Sequence, residues 1–444
     1  MQLETLVKQF GGHGSLAEHF RGACAASAIQ GAAVALAGED ECHTLAFGRD
    51  GNAETFTPTT RVNMNCVSNL CVSALVVGLI RGGEVALEDE VERQLDFGSA
   101  APSGFLGGIS IRHLLSHTDG IGYRGVDAIP ATESGYVDLA GLASVIRSDE
   151  RAFAPGRYCS EALCGFALLE AVVEKHSGMP VIDTLRHTLL DHLARHDVEP
   201  AGSASVRTSG ERSERAGGGA DLALNAVELG QFLRLHLSPE TFDLPLLRDV
   251  DDFSFLFEPQ VQYPGWAPST KGAALGWKTF AEGWVGHNGV RAGHTVFVRL
   301  HPSRRAALAF LCLGHSPAAY AALGRFVGHA LPELSGQQPP RLLTDQEQKE
   351  LEASRFVRSF GNKARRIAVT GGSPDALQLT TSETGPTQAP FGSGFLVPAE
   401  QNSFFVRQPN TSGMFFAQYL KSDESADFDL LWDIKTLWKR SSYD

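Results

Sequence analysis

The chain has no basic surplus, no long apolar run and no paired cysteine motif, and each absence removes a class of function. Against 38 lysines and arginines stand 51 aspartates and glutamates, for a net charge of −13. Such an acidic chain is a poor default partner for nucleic acid or an anionic membrane. The longest apolar stretch, Leu70 to Ile80, is too short to span a bilayer. The seven cysteines are few and odd in number, and no pair has zinc-type spacing. We therefore expect no metal, no cofactor, and free thiols in a reducing compartment. Met1-Gln2-Leu3-Glu4-Thr5 lacks a basic segment leading into an apolar one, so a cytoplasmic location is expected. No solenoid-type repeat is visible.

What is present is ordinary for a globular protein: 43% apolar and 20% charged residues. A length of 444 residues supports a large core plus a second domain. Apolar helical segments alternate with short β-like runs through residues 1–334, the texture of an α+β domain. A hairpin is expected from Ala32–Ala37 and Thr44–Phe47. Helices are expected at Cys66–Arg81, Ile111–Ser116, Ala162–His176 and Leu222–Leu237, and a strand pair at His294–Leu300 and Ala306–Leu313. Residues 335–350 are polar and Pro-rich and read as a linker. Short β-prone runs then crowd residues 351–444, separated by Gly, Pro, Asn and Asp turns. They predict a small antiparallel barrel or sandwich.

Several blocks, taken in order, carry a resemblance. Cys66-Val67-Ser68-Asn69 opens a helix after Thr60–Asn65. Gly82-Gly83-Glu84-Val85-Ala86-Leu87-Glu88-Asp89-Glu90-Val91 continues it, and Ile109–Ile121 contains His113-Leu114-Leu115-Ser116-His117-Thr118-Asp119-Gly120. Ala216-Gly217-Gly218-Gly219 precedes one helix, and Gly286-His287-Asn288-Gly289 precedes a strand. Together these blocks resemble the serine β-lactamase-related superfamily, which includes class C β-lactamases and penicillin-binding-protein-like peptidases, esterases and transacylases. The resemblance implies a β-lactamase/transpeptidase-like sheet flanked by helices, with a helical subdomain over a cleft. It also implies acyl transfer through a covalent ester, with backbone amides forming the oxyanion hole. The two-part chain further resembles D-aminopeptidases and penicillin-binding-protein-type thioesterases that cyclise peptides, which implies a lipocalin-like barrel at residues 351–444.

The alignment of residues is partial. Cys66 falls at the family's serine and Asn69 at its lysine, on the same helix face. Counting from Pro155-Gly156 puts Glu161 at the tyrosine, followed by Ala162 and Leu163 where Ser-Asn is usual; a local slip would bring Tyr158 there instead. His287-Asn288-Gly289 preserves the third motif. Thiol, carboxylate and imidazole are the ingredients of a Cys-His-acid arrangement. A thiol needs less help than a hydroxyl, since its pKa is nearer neutrality and falls at a helix start. Losing the lysine is therefore less damaging beside a thiol.

These residues predict Cys66, Asn69, Glu161 and His287 as catalytic, with Asn65, Tyr158, Asn288 and Gly289 contacting substrate. The expected function is biosynthetic acyl transfer of thioesterase, cyclase, transacylase or esterase type. The substrate would be a small-molecule or peptidyl acyl group, free or on a carrier protein. Two alternatives stay open: a catalytically silent binding protein, in which Cys66 merely fills a small site, and a non-covalent acid/base cyclase using Glu161 and His287. His113 and His117 read as packing residues, and Lys271-Gly272 as loop.

Overall fold

The computed structural model describes residues 16–122, 131–146, 151–161, 163–193, 222–242, 244, 252–265, 267, 270–291, 293–314, 316–327, 340–361, 365–383, 394–407, 414–420, 430–432 and 437–439. The Ala216–Gly219 block and Ala162 lie outside them.

The early hairpin forms as β1 (Gly31–Ala37) and β2 (Cys42–Gly48). Short β3 (Val62–Asn63) and β4 (Ala223–Leu224) pair with each other and, among the described residues, with no other strand. Then come β5 (Val261–Gln262), β6 (Gly272–Ala273), β7 (Lys278–Thr279), β8 (Val285–Arg291), β9 (His294–His301) and β10 (Ala306–Leu313). The first sheet is antiparallel, in the order β2-β1-β10-β9-β8-β7-β6-β5.

β1 is buried at every position because both faces of the sheet are covered. Ala33, Ala35 and Ala37 join one core, and Ala32, Val34 and Leu36 the other. Helices Leu16–Ala25 and Ser316–Val327 cover the second face. Helices Ser68–Arg81, Leu163–Ser177 and Ala226–Leu237 cover the first. Ser68–Arg81 is apolar almost all round, as a helix in the middle of a large core must be. It stops at Gly82-Gly83, where Gly83 takes a φ of +76° that a side chain would resist. The α+β reading of this part holds.

The expected linker contains a short helix, Asp345–Glu350. Thr344 and Glu347 form a reciprocal capping box at its start, which turns a polar stretch into an ordered one.

The second sheet comprises β11 (Ser359–Gly361), β12 (Arg365–Thr370), β13 (Gln378–Glu383), β14 (Gly394–Ala399), β15 (Ser403–Arg407), β16 (Met414–Leu420), β17 (Leu430–Trp432) and β18 (Leu437–Lys439). Its strands pair in chain order, and among the described residues no ladder joins β18 back to β11. The lipocalin-like closed barrel expected from the sequence is therefore corrected: the sheet is an open half-barrel. Closure needs edge strands that pair along a common length. Here the edge strands have three residues each, and β13 meets β14 at only two positions. The hollow is filled instead by Phe356, Phe360, Phe404 and Tyr419, with the Tyr419 hydroxyl donating to the Phe356 carbonyl at 2.7 Å. Alternation along β14 and β15 gives the sheet a second contact. Val397, Ala399 and Phe405 point out of that core and pack on Ala152, Phe153, Tyr158 and Tyr263 of the first part.

Candidate functional site

Cys66 sits in a tight 3₁₀ turn, Asn65–Val67, that runs directly into helix Ser68–Arg81. Asn65 precedes it with φ +49°, a left-handed conformation that costs a non-glycine residue about 1–2 kcal/mol. The side chain of Asn63 holds that strained residue, accepting from the Asn65 N–H at 2.9 Å, while Asn65 Nδ2 donates back to the Asn63 carbonyl at 3.2 Å. Asn65, expected to contact substrate, thus uses its amide on its own turn. Cys66 itself is half-buried, and five of the other six cysteines are fully buried. The sixth, Cys42, is half-buried against Gly230 of helix Ala226–Leu237, and burial pushes its thiol up to about 12. Among the described residues nothing hydrogen-bonds the Cys66 thiol.

The turn packs on β8 at Gly289. A Cβ there would lie 2.2 Å from the Met64 carbonyl oxygen and 3.3 Å from the Asn65 Cβ. Strand alternation puts His287 on that same face and Asn288 on the other. Asn288, expected to line the cleft, points away: its amide donates to the Tyr320 hydroxyl at 2.9 Å and accepts from Arg299 at 2.8 Å. β7 pairs with β8 only at Val285 and Gly286. From His287 onward the outer edge of β8 has no strand partner among the described residues.

Glu161 reaches this region by a zipped loop. Ala152, Gly156 and Ser160 donate backbone hydrogen bonds to Gly120, Thr118 and His117 at 2.8–2.9 Å. That ladder carries the chain to the start of helix Leu163–Ser177. Glu161 is ion-paired with Lys278 of β7, and both side chains are nearly buried, at 11% and 8% exposure. The Tyr263 hydroxyl donates to the same carboxylate oxygen at 3.1 Å. Tyr158, the alternative for this position, packs edge-on to Phe153 and under Arg157, where the two parts of the chain meet.

His287 is fully buried. Its Nδ1 lies 3.1 Å from the Asn288 carbonyl, and a carbonyl only accepts, so Nδ1 carries the proton. Nε2 is buried and has no hydrogen-bond partner among the described residues. Burial, then the Lys278 ammonium, hold the imidazole well below its ordinary pKa, with Glu161 opposing and His117 reinforcing. The same carboxylate, after burial, raises the Cys159 thiol and the Tyr263 phenol. Asn69, one turn after Cys66, is buried with Oδ1 unpartnered among the described residues.

The structure thus buries both Glu161 and His287, near enough for the carboxylate's charge to act on the imidazole. Gly289 is brought against the turn that bears Cys66. The sequence reading missed Lys278 and Tyr263. A signal existed for Lys278, a lone charge in the apolar run Leu275–Phe280, whereas Lys271 is exposed. Tyr263 carried none. Among the described residues no His, Cys, Asp and Glu group could hold a metal, and no helix is long and apolar enough to cross a membrane. Two cavities, of about 600 Å³ beside Glu174 and about 420 Å³ beside His236, lie elsewhere, and neither is lined by Cys66, Glu161 or His287.

A family model described as Beta-lactamase matches residues 15–332. The chain is 23% identical over 338 residues to Penicillin-binding protein 4 of Amycolatopsis lactamdurans, covering 69% of this chain and 88% of that protein. A solved structure of SurE with D-Leu superposes with a TM-score of 0.71 at 22% identity, covering 96% of this chain and 99% of that one. The octameric penicillin-binding protein homologue from Pyrococcus abyssi superposes with a TM-score of 0.56 at 15% identity, covering 95% and 98%.

Proposed function

The chain belongs to the beta-lactamase family, and on that premise we propose that it catalyses acyl transfer with Cys66 standing where relatives carry serine, and Asn69 where they carry lysine. The observation that carries this reading is the place of the thiol. It is a half-buried sulfur at a helix start, behind a strained residue and beside the edge of β8 that has no strand partner among the described residues. Strain of this kind gathers at functional sites, and an open strand edge offers backbone groups to an extended acyl substrate. In the proposed reaction Cys66 Sγ attacks the carbonyl carbon, forming a C–S bond. The bond to the leaving group breaks, and the thiol proton passes through His287 Nε2 to that group. Water or an internal amine then attacks the thioester, and its proton returns to sulfur by the same path. We propose an aminoacyl or peptidyl ester, amide or thioester as substrate class; D-Leu in the SurE structure fits that class. An acid/base role for Glu161 is disfavoured, because Lys278 and Tyr263 already hold its carboxylate.

The test is intact-mass analysis after incubation with acetyl-N-acetylcysteamine thioester and p-nitrophenyl acetate. An acyl adduct mapping to Cys66, absent from Cys66→Ala, is expected. No adduct, together with undiminished turnover in Cys66→Ala, would sink the proposal.

A further inference from the structure

The strand that leads to Cys66 has a ladder on one side only. The Met64 N–H donates to the Leu222 carbonyl at 2.8 Å, on the β4 side. Alternation turns the Asn63 N–H the opposite way, where among the described residues β3 has no strand partner. The ring of His294, at the start of β9, meets it: the Asn63 N–H donates to Nδ1 at 3.1 Å. A backbone N–H only donates, so Nδ1 is the acceptor and the ring proton sits on Nε2. This is the opposite tautomer to that of His287. The residue so held is the one that grips Asn65, with its side-chain oxygen and its carbonyl both engaged on that strained residue, immediately before the thiol. A buried backbone N–H needs an acceptor, and a hydroxyl or amide would serve as well as an imidazole. The imidazole differs in one respect: once protonated it donates at both nitrogens and accepts at neither. Burial keeps the half-buried ring below its ordinary pKa of 6.5, and a bond accepted by the neutral form works the same way. Across its ladders His294 stands opposite Arg291 of β8 and Leu313 of β10. Arg61, next to β3, is taken by Glu228, and the titratable group on the turn is Cys66 itself. None of these is a carboxylate free to retain an imidazolium.

We propose that His294 is a positioning residue for acyl transfer: as a neutral acceptor it fixes Asn63, which clasps the strained Asn65 behind Cys66, and on protonation it releases that clasp. Its catalytic consequence rests on the reading of Cys66 as nucleophile; its hold on Asn63 does not. The ring acts through two successive hydrogen bonds, from His294 to Asn63 and from Asn63 to Asn65. It works from the side of the turn away from β4, as Gly289 works by letting β8 come close.

The experiment follows the His294 ring nitrogens and the Asn63 and Asn65 amides by ¹⁵N NMR in the full chain as pH falls from 8, alongside the rate of Cys66 acylation by acetyl-N-acetylcysteamine thioester. In the wild type the ring at pH 7 is neutral with its proton on Nε2, and both amides shift as it titrates below pH 6.5. In His294→Leu, which offers no acceptor, acylation per folded molecule falls at least tenfold at pH 7. His294→Asn carries its amide oxygen two bonds from Cβ, as Nδ1 is, and cannot be protonated in this range; it recovers most of the lost rate. Wild type and His294→Asn share the titrations of Cys66 and His287, so their ratio isolates His294: it falls at least fivefold through the ring's own titration. Asn63 and Asn65 amides that ignore that titration would overturn the proposal, as would equal acylation in His294→Leu and His294→Asn. If His294→Leu does not fold, the other comparison decides: superimposable wild-type and His294→Asn profiles through the ring's titration overturn the proposal. Absence of any wild-type adduct would count against Cys66 as nucleophile, while the amide shifts still read the link from His294 to Asn65.

Discussion

A carboxyl out of water with one hydrogen bond keeps its proton, and Asp119 is in that position. It is fully buried against Gly165, one oxygen accepts from the Ile121 N–H at 2.7 Å, and the other has no partner among the described residues. Burial raises its pKa from 3.8 to about 7. The raised value means that the unfolded chain releases this proton first as pH climbs. Stability from this group is therefore complete below pH 4, falls between pH 4 and 7, and is constant above, a loss on the order of a few kcal/mol. Asp119→Asn should melt higher than wild type at pH 8 and converge with it near pH 4, as followed by circular dichroism. Parallel melting curves at both pH values would count against a buried neutral Asp119. Residues of this kind were partly legible. His287 and Gly289 stand together in one motif block, and Cys66 opens a helix whose spacing is plain. Lys278 was not legible as a partner of Glu161, because a side-chain pair between a strand and a distant loop leaves no periodicity in either segment.

At the scale of elements, the close approach of β8 to the Asn65–Val67 turn sets the site. The approach exists because Gly289 has no Cβ. Gly289→Ala should push the turn off the strand, destabilise the fold by about 1–3 kcal/mol and slow Cys66 acylation more than tenfold. Gly286 is crowded too, but by the Val298 carbonyl inside the sheet, away from the turn. Gly286→Ala should therefore cost stability without the same selective loss of acylation per folded molecule. Equal acylation losses in both variants, measured against the folded fraction, would remove the special place given to Gly289. The helices expected at Cys66–Arg81, Ile111–Ser116, Ala162–His176 and Leu222–Leu237, the early hairpin and the strand pair β9–β10 form within a few residues of expectation, whereas helices Leu16–Ala25 and Ser316–Val327 were not foreseen and residues 286–289, expected before a strand, lie inside β8. The two-residue strands β5, β6 and β7 were not foreseen. A two-residue strand has no pattern of its own; it forms because β8 offers a partner.

For the whole molecule, the outward face of β14 and β15 matters most. Phe405 and Val397 leave the core of the half-barrel to pack on Phe153, Tyr158 and Tyr263, and Tyr263 in turn reaches Glu161. The second sheet therefore braces the loop that presents the carboxylate. Phe405→Ser should leave the first part folded, raise proteolysis between the two sheets several-fold, and lower acylation of Cys66. Proteolysis and acylation indistinguishable from wild type would show that the brace is dispensable. By itself the sequence determined the α+β first part, the order of its motif blocks and the strand-rich tail, because periodicity, capping and turn chemistry act over a few neighbouring residues. Only the tertiary structure decided that the tail stays open, that Asn288 lies on the face of β8 opposite Gly289, and that Lys278 pairs with Glu161. Each of those outcomes is a competition between groups far apart in the chain, settled by which of them burial brings together.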